Sequence, residues 1–556
     1  MAVQKDETAE KHISSDDVAV YTDPAPTSHA HSQAHHRRDL EREGELMGYM
    51  LEVGASHSSD GEKRESERDN SSATHSEELK LAKDGHTVLI PQPSDDPNDP
   101  LNWSPRKKYV ILIVVTATAF LPDYGSATGG VLLFQQSTLW DKTPDVINHS
   151  HVGNSFMLGA GGMFVIVFSA YFGRLPVLFW FTLIGFATAI GCASAPSFHS
   201  FMAFRILNGF FSTVAQAGGL MFIKDLFFFH EHARMINIWD ASIILSPYFG
   251  PFVASFVTSK TSWRWVFWMF TMMTVKTLVA GLCLLGIMFF VEETYYDRSL
   301  APEDQPSRGR RIERVVGIAQ WRSRTMRNTF YDAIMRPVQA ILKPVIAICT
   351  LYYLTTFAWV VGINTTLSIF VKPLYSFGQI QLGAFYTTPI VAAILGQIVG
   401  HFLHDALATH YLRHHDGKFE PEARFRAIWI SQPFMIAGLV ILGFALQKDW
   451  HFMVTAVAWG MYVLGIMVTT VALQAYMLDS YPEGSGEVAA WLSFARTTGG
   501  FIVSYFQVRW ATNLGAASSF GTQAAICAFA FLLIVFLQWK GKVMRVSSGP
   551  LNFKTD

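Results

Sequence analysis

The sequence predicts an all-α membrane protein with twelve transmembrane helices, and three observations support this fold class. Half of the 556 residues are hydrophobic, only 16% are charged, and the mean hydropathy is +0.24, values outside the range of ordinary soluble domains. Apolar runs of about 20 residues, enough to cross a hydrocarbon core of about 30 Å, recur from residue 109 onwards. A long polar stretch divides these runs into two sets of six.

The two sets of predicted spans suggest a chain built from two similar halves, a layout typical of transporters with internal repeats. The first set comprises Tyr109–Phe134, Val152–Phe172, Val177–Ala195, Phe201–Phe222, Ile236–Val257 and Trp265–Val291. The second set comprises Val345–Val371, Leu382–Leu403, Ala427–Leu446, Phe452–Leu478, Val488–Trp510 and Phe520–Trp539. The predicted domains are an N-terminal tail at 1–105, a six-helix half at 106–291, a central loop at 292–343, a second half at 344–539 and a C-terminal tail at 540–556.

The N-terminal tail differs sharply in composition from the rest of the chain. Residues 1–105 carry 22 acidic and 10 basic side chains and few aromatic ones, so we expect a disordered cytoplasmic segment. Eight of the 19 histidines lie in this tail, where a solvated low-complexity segment is favoured over a weak metal site. The four cysteines are far apart in sequence, so the pattern predicts neither a zinc site nor a disulfide framework, and no cofactor is expected.

Basic residues collect in alternate loops, which by the positive-inside rule predicts that both termini and the central loop are cytoplasmic. The apolar body excludes a nucleic-acid partner, because its positive charge does not lie on a solvated face. The expected partners are the lipid bilayer, a small-molecule substrate and protons, and the chain is expected to act as a monomer. Asn148-His149-Ser150 is a glycosylation sequon in the first predicted external loop, which makes Asn148 a candidate glycosylation site.

Two motifs lie inside predicted spans. Arg205 begins the run Arg205-Ile-Leu-Asn208-Gly209 in the fourth span. An arginine in hydrocarbon is costly unless it faces a partner or water, so Arg205 is either a pathway residue or an arginine that snorkels to the interface. In the fifth span, Gly250-Pro251 can bend the helix and free a backbone carbonyl.

These two motifs resemble signatures of the major facilitator superfamily. Arg205-x-x-Asn208-Gly209 resembles its fourth-helix signature, and Ser246-Pro247-Tyr248-Phe249-Gly250-Pro251 resembles its antiporter motif, although Ala254-Ser255 replaces the usual glycines. The resemblance covers roughly residues 95–545 and implies the major facilitator fold, with two six-helix halves around a central cavity. It also implies gating roles for Arg205, Gly250 and Pro251.

Loop sequences extend the resemblance. Phe172-Gly173-Arg174 is similar to the end of the superfamily's cytoplasmic loop motif, with Ala170 at the usual aspartate position, and Gly400–Asp405 is a related sequence in the second half. The resemblance implies that Arg174 and Asp405 belong to latches on the cytoplasmic side. Glu231 and Arg234 are candidate partners for such a latch.

Three further stretches are similar to fungal members of the drug:proton antiporter group. They are Asp96–Ser104, Trp263–Trp268 and Tyr481–Glu487, the last of which is similar to the branch with the yeast histidinol and polyamine transporter.

Acidic residues inside spans are the candidates for proton coupling, which needs a group that is charged in one state and neutral in another. Asp123 lies about midway along the first span, between Pro122 and Gly125, which can interrupt the helix there. It is the first candidate for coupling or substrate contact, with a structural ion pair as the alternative. Asp240 and Glu487 are further coupling candidates, although Glu487 could instead favour the positive N-terminus of the eleventh helix.

Polar and aromatic side chains on the cavity helices of the family arrangement are candidates for substrate binding. For each of them, interhelical hydrogen bonding or packing is the alternative. The candidates are Asp123, Tyr124, Asn208, Gln216, Trp359, Asn364, Tyr386, Gln397 and Gln474. Lys276, in the middle of the sixth span, either snorkels or turns inward to an acidic partner.

The sequence therefore predicts a proton-coupled secondary transporter that exports a small organic solute, such as a drug or secondary metabolite, by alternating access. No phosphate-binding loop or catalytic motif is present, so we expect no enzyme activity and an ion gradient as the energy source. Proton-driven uptake of polyamines or other organic cations is an alternative function, and a nutrient sensor that does not transport is another. The plasma membrane is the expected location, with the vacuolar membrane as the alternative.

Overall fold

The computed structural model describes most of the predicted membrane body, and each regular element within the described residues is a helix. The described residues are 89, 91–271, 279–296, 298, 303, 305–306, 308–324, 329–414, 420–551 and 553. The predicted tail lies outside them up to residue 88, and Lys276 lies outside them as well.

Within the described residues, the helical segments of the two halves are grouped into twelve units, numbered α1–α12 in chain order, one for each predicted span. The first half contains α1 (Pro105–Ala127 and Gly129–Trp140), α2 (Pro144–Phe172), α3 (Arg174–Ser194), α4 (Phe198–Ser212 and Val214–Leu226), α5 (Phe229–Thr258) and α6 (Arg264–Thr271 and Val279–Phe290). The second half contains α7 (Pro344–Leu374), α8 (Gln379–Phe385 and Thr387–His414), α9 (Arg426–Gln447), α10 (Phe452–Ser480), α11 (Ser485–Leu514) and α12 (Ala516–Ser548).

Ten helices in the described part of the chain are long and apolar enough to cross a membrane. The remaining two are α6, which is described in two segments, and α11, which carries Glu487, Arg496 and Arg509 along its length. The last helix also continues to Ser548, past the predicted end of the twelfth span at Trp539.

The interruption expected near Asp123 lies farther along α1 than predicted. Pro122 and Gly125 both lie within the continuous first segment, and the break comes at Thr128. The Thr128 hydroxyl donates a hydrogen bond of 2.7 Å to the Gly125 carbonyl oxygen. A proline is tolerated inside a membrane helix where neighbouring groups satisfy the freed carbonyl, so the sequence signal at Pro122 alone did not fix the break. In α4 a similar break falls at Thr213.

The two halves meet where small residues allow close approach of helices. On α2, a Cβ atom placed at Gly159 would lie 2.0 Å from the Thr497 hydroxyl oxygen on α11. On α8, a Cβ atom placed at Gly383 would lie 2.7 Å from the Ser255 Cβ atom on α5. The contacts α2–α11 and α5–α8 therefore join the two halves.

The central loop contains helices at Arg311–Val316, Ile318–Arg322 and Phe330–Ile341. We call the last of these the linker helix. It contacts the second half through an ion pair of 2.7 Å between Arg336 and Glu487 and through the Trp491 indole, which donates to the Pro337 carbonyl at 2.8 Å. It contacts α2 of the first half through the Phe330 and Tyr171 rings, whose centroids are 5.3 Å apart. The end of the bundle that holds this helix is called the linker side below, and the opposite end is the far side.

On the linker side, the segment before α1 is fixed to the chain that follows α6 through a buried carboxylate. Asp99 accepts hydrogen bonds from the Arg298 guanidinium at 3.1 and 3.3 Å, from the Leu101 backbone N–H at 3.0 Å and from the Ser94 hydroxyl at 3.0 Å. Burial by itself raises the pKa of Asp99, but the Arg298 charge and these hydrogen bonds outweigh it and hold the pKa below its ordinary value. The stabilisation that ionised Asp99 contributes is present at pH values above the pKa of Asp99 in the unfolded chain. It is lost as the pH falls through the pKa of Asp99 in the folded protein.

Replacing this carboxylate with an amide should loosen the linker side. We expect Asp99→Asn to lower the free energy of unfolding by about 1–3 kcal/mol, the usual cost of leaving a buried polar group without its partner. Thermal unfolding of the purified protein and the rate of trypsin cleavage near Arg106 would measure the effect. Asp449→Asn, at an exposed carboxylate on the far side, is the matched control. Equal melting temperatures and equal cleavage rates for the two variants would contradict this role.

Candidate functional site

A cavity lies between the two halves. Its wall is formed by α1, α2, α4, α5, α7, α10 and α11, so both halves contribute side chains. The polar lining residues include Asp123, Ser126, Ser155, Gln216, Asp240, Asn364, Thr470, Gln474, Ser493 and Arg496, and the apolar and aromatic lining residues include Trp239, Tyr248, Tyr353, Phe357 and Met467.

An ion pair between the two halves crosses this cavity. Asp123 on α1 places a carboxylate oxygen 2.8 Å from the Arg496 guanidinium on α11. The Gln216 side-chain amide on α4 donates to the same oxygen at 2.6 Å. The two charged side chains are only 11% and 10% exposed, so little water competes with their interaction. The structure therefore shows the ion pair that the sequence left as the alternative for Asp123, and it places that pair in the cavity wall.

A second carboxylate lies in the same wall. Asp240 on α5 accepts a hydrogen bond of 3.4 Å from the Gln474 amide on α10, and the Arg496 charge also acts on it. The described lining of the cavity thus holds two carboxylates and one guanidinium. With both carboxylates ionised the site carries one excess negative charge, which a proton or a cationic solute can neutralise.

Four predicted substrate-binding residues line the cavity, and five lie outside its wall. Those in the wall are Asp123, Gln216, Asn364 and Gln474. Those outside it are Tyr124, Asn208, Trp359, Tyr386 and Gln397.

The residues outside the wall mostly make contacts within the helix bundle. Asn208 donates to the Gly185 carbonyl at 2.9 Å, and the Tyr386 hydroxyl donates to the Asn364 carbonyl at 2.8 Å. Trp359 packs near Trp510, with ring centroids 6.5 Å apart. Tyr124 lines a smaller pocket beside Arg205. The half-buried Gln397 lies on α8.

Arg205 is buried inside the bundle and points toward the backbone of α1. Its guanidinium donates to the carbonyl oxygens of Gly125 and Ser126 at 2.8 and 2.9 Å, and it lies 3.0 Å from the His151 Nδ1 atom on α2. These contacts rule out snorkelling for Arg205 in this conformation. They also hold α1 immediately after Asp123.

On the linker side, Arg174 forms an ion pair with Asp225 at the end of α4 and donates to the Met221 carbonyl at 3.1 Å. Its backbone N–H donates to the Glu293 carboxylate at 3.2 Å. The two predicted latch partners, Glu231 and Arg234, do not take part in these contacts of Arg174. The Glu231 carboxylate accepts from the Phe228 backbone N–H at 3.4 Å at the start of α5, and Arg234 is exposed.

The remaining predicted residues lie away from the cavity wall. Glu487 pairs with Arg336 of the linker helix, as described above. Asn148 is fully buried within α2, so its side chain has no room for a glycan in this conformation. Gly250 and Pro251 lie within α5, with Gly250 packed closely against α1. Asp405 lies on α8, and its side chain is outside the described part of the chain.

Arg496 and His151 are absent from the predicted set, although each makes a central contact. Arg496 carried a usable signal, because an arginine inside a predicted span is a functional candidate by the same reasoning that selected Arg205. His151 carried a weaker signal as a histidine in the predicted loop immediately before the second span. Asp225, the observed partner of Arg174, lies just past the predicted end of the fourth span and had no distinguishing pattern.

Two six-helix halves around a cavity that contains a buried ion pair define a multi-pass membrane protein of the secondary-transporter class. The profile described as Major Facilitator Superfamily matches residues 114–504, so the chain belongs to this superfamily. The predicted fold class is thereby confirmed.

Two relatives are similar to this chain over most of its length. "MFS transporter cpaT" of Aspergillus oryzae is 26% identical over 464 residues, which are 82% of this chain and 90% of the relative. "Efflux pump radE" of Floropilus chiversii is 22% identical over 466 residues, which are 81% of this chain and 83% of the relative.

Two solved structures share the fold. The proton:xylose symporter XylE bound to 6-bromo-6-deoxy-D-glucose has a TM-score of 0.57 and 16% identity, and the match covers 79% of this chain and 96% of XylE. The partially occluded inward open conformation of XylE from E. coli has a TM-score of 0.55 and 17% identity, with 78% and 99% of the two chains covered.

Proposed function

We propose that this chain is a proton-coupled transporter that exports a small organic solute by alternating access, with the Asp123–Arg496 pair as its coupling centre. The observation that carries the proposal is the position of this pair, which joins α1 of one half to α11 of the other inside the cavity. A proton taken up there changes a contact that the two halves must alter when they rock against each other.

The charges in the cavity indicate how exchange would work. With Asp123 ionised, its attraction to Arg496 holds α1 and α11 together. Protonation of Asp123 from the outside removes that attraction. The Arg496 guanidinium can then interact with the Asp240 carboxylate instead, on which the Arg496 charge already acts. The solute then leaves, and loss of the proton to the inside restores both the ion pair and the affinity for solute. Export driven by inward proton flow follows from this order of events.

The direction of transport is supported by the relatives, one of which is named as an efflux pump. We place the protein in the plasma membrane as a monomer with both termini in the cytoplasm, in keeping with the basic loops on the linker side. That location is part of the proposal.

A second candidate function is proton-driven uptake of a polyamine or another organic cation. The excess carboxylate in the cavity favours it, because Asp240 offers a negative charge beyond the one that Arg496 neutralises. Counterflow of labelled spermidine in membrane vesicles separates the two candidates. Uptake predicts exchange of spermidine, and an exporter specific for another solute predicts none.

Asp123→Asn tests the coupling role. An amide can still accept hydrogen bonds from Gln216 and Arg496 but cannot gain and lose a proton at physiological pH. We expect the variant to reach the membrane and to lose the dependence of transport on a proton gradient. Vesicle accumulation of a fluorescent organic cation, with and without an imposed pH gradient, measures this loss.

Asp141→Asn, at an exposed carboxylate on the far side, is the matched control and should keep gradient-driven transport. Undiminished gradient-driven transport by Asp123→Asn would refute the coupling role.

A further inference from the structure

A buried histidine next to Arg205 has no role in the mechanism above. His151 on α2 is 1% exposed, and its Nδ1 atom lies 3.0 Å from the Arg205 guanidinium of α4. Its ring packs directly on Gly129 of α1, where a Cβ atom would lie 1.9 Å from Nδ1, and it meets the Phe201 ring edge-on. The Arg205 guanidinium is the charged group that contacts this imidazole in the described part of the chain.

The contact with Arg205 fixes the protonation state of His151 in this conformation. A guanidinium has only donors, so the His151 Nδ1 atom must accept, and the ring is neutral with its proton on Nε2. Within the described residues, Nε2 is buried and has no hydrogen-bond partner. Leaving a buried donor without a partner is unfavourable, so we expect water at this position.

A polar stripe leads from the far side of the membrane to His151 and on to the cavity. Asp145, Asn148, His151 and Ser155 follow one another at spacings of three, three and four residues, which places them on one face of α2. Asp145 lies in the first turn of α2 at the far side, and Ser155 lines the cavity, where its hydroxyl is 2.9 Å from that of Ser126.

A buried amide on this stripe strengthens the case for water. The side chain of Asn148 is fully buried, and among the described residues its amide has no hydrogen-bond partner. Buried polar groups are hydrogen-bonded as a rule, and ordered water is the usual partner where protein supplies none. Water along this stripe would connect His151 to the far side.

We propose that His151 is a second proton-binding site, reached by water from the far side, and that proton binding there releases the hold of Arg205 on α1. An imidazolium cannot accept from Arg205, and it would place a second positive charge about 3 Å from the guanidinium. Protonated His151 is therefore incompatible with the present position of Arg205 on the Gly125 and Ser126 carbonyls. Because Asp123 precedes Gly125 by two residues, this release reaches the coupling centre. The inference rests on the proposed function insofar as movement of α1 is part of transport.

A thiol reporter in the cavity tests this site without any transported solute. Ser155→Cys places a nearly isosteric thiol at the inner end of the stripe, and a membrane-impermeant maleimide reports access to it. Labelling is measured in intact cells and in inside-out vesicles, so that each face is exposed in turn. The range runs from about pH 8 to about pH 4, well below the ordinary histidine pKa of about 6.5. The exposed variant Asn513→Cys at the far-side end of α11 corrects for the pH dependence of thiol reactivity.

With His151 present, we expect the corrected labelling rate from the far side to rise at least about fivefold on acidification, the lower end of typical coupling between sites. With His151→Gln, whose amide oxygen still accepts from Arg205 but does not titrate, the rate should be independent of pH. His151→Asn serves as a second replacement if the glutamine variant fails to reach the membrane.

Two results would overturn the proposal. One is a corrected rate that does not change with pH in the His151 protein, and the other is an unchanged pH response in the replacements. The same measurement in an Asp123→Asn background keeps the two proposals apart. If coupling survives in Asp123→Asn, the proposed function fails, whereas the labelling result still decides the role of His151.

Discussion

Arg496→Gln should reduce transport at least about 100-fold, which corresponds to about 3 kcal/mol of lost stabilisation. Arg496 is the one guanidinium among the cavity-lining residues, which also include Asp123, its ion-pair partner, and Asp240. Removing it leaves two carboxylates in a poorly hydrated wall without a counter-charge. Breaking a buried ion pair from one side typically costs about 3–5 kcal/mol, so we also expect a lower melting temperature for the purified variant.

Matched variants separate the loss of charge from the loss of fold. Arg509→Gln removes an arginine from the same helix. Its side chain is 72% exposed, so its 3.5 Å ion pair with Asp145 contributes little, and the variant should behave like the unmodified protein. The double variant Asp123→Asn with Arg496→Gln removes both charges of the pair, so it should recover thermal stability without recovering transport. Wild-type transport by Arg496→Gln, or a double variant less stable than Arg496→Gln, would contradict the proposed centre.

The number and type of the membrane helices could be predicted because hydrocarbon thickness fixes the length of an apolar run. Breaks within helices could not be predicted in the same way. The sequence pointed to Pro122 and Gly125, yet α1 continues through both and breaks at Thr128. A proline removes one backbone hydrogen bond, and whether the helix continues depends on neighbouring helices that a local pattern does not contain.

The types of side chain that line the cavity could be predicted more completely than the contacts between them. Asp123, Gln216 and Gln474 were selected because polar groups inside spans are costly and mark pathways, and all three line the cavity. The partner of Asp123 could not be deduced, because Arg496 is distant in sequence and the rotation of α11 about its axis decides which residues face inward. The rotation of α1 about its own axis likewise places Tyr124, adjacent to Asp123, in a different pocket.

Gly250→Ala should lower both stability and transport, although it adds a single methyl group. A Cβ atom at this position would lie 2.4 Å from the Tyr124 carbonyl oxygen and 3.3 Å from the Thr128 backbone nitrogen. Both atoms belong to the α1 backbone, which cannot rotate away as a flexible side chain can. Overpacking of this kind costs about 1–3 kcal/mol, and the strain falls on the segment of α1 that carries Asp123.

The control for this prediction is the same substitution in open space. At Gly521 on α12, an added Cβ atom meets nothing within 4 Å, so Gly521→Ala should leave transport unchanged and favour the helix by up to about 1 kcal/mol. Thermal unfolding and vesicle transport of the two alanine variants, measured side by side, isolate the effect of the α1–α5 contact. We expect at least about a tenfold loss of transport for Gly250→Ala, equivalent to about 1.4 kcal/mol, because the displaced α1 no longer aligns Asp123 with Arg496. Equal activity of the two variants would show that α1 and α5 tolerate separation and that their close approach has no part in transport.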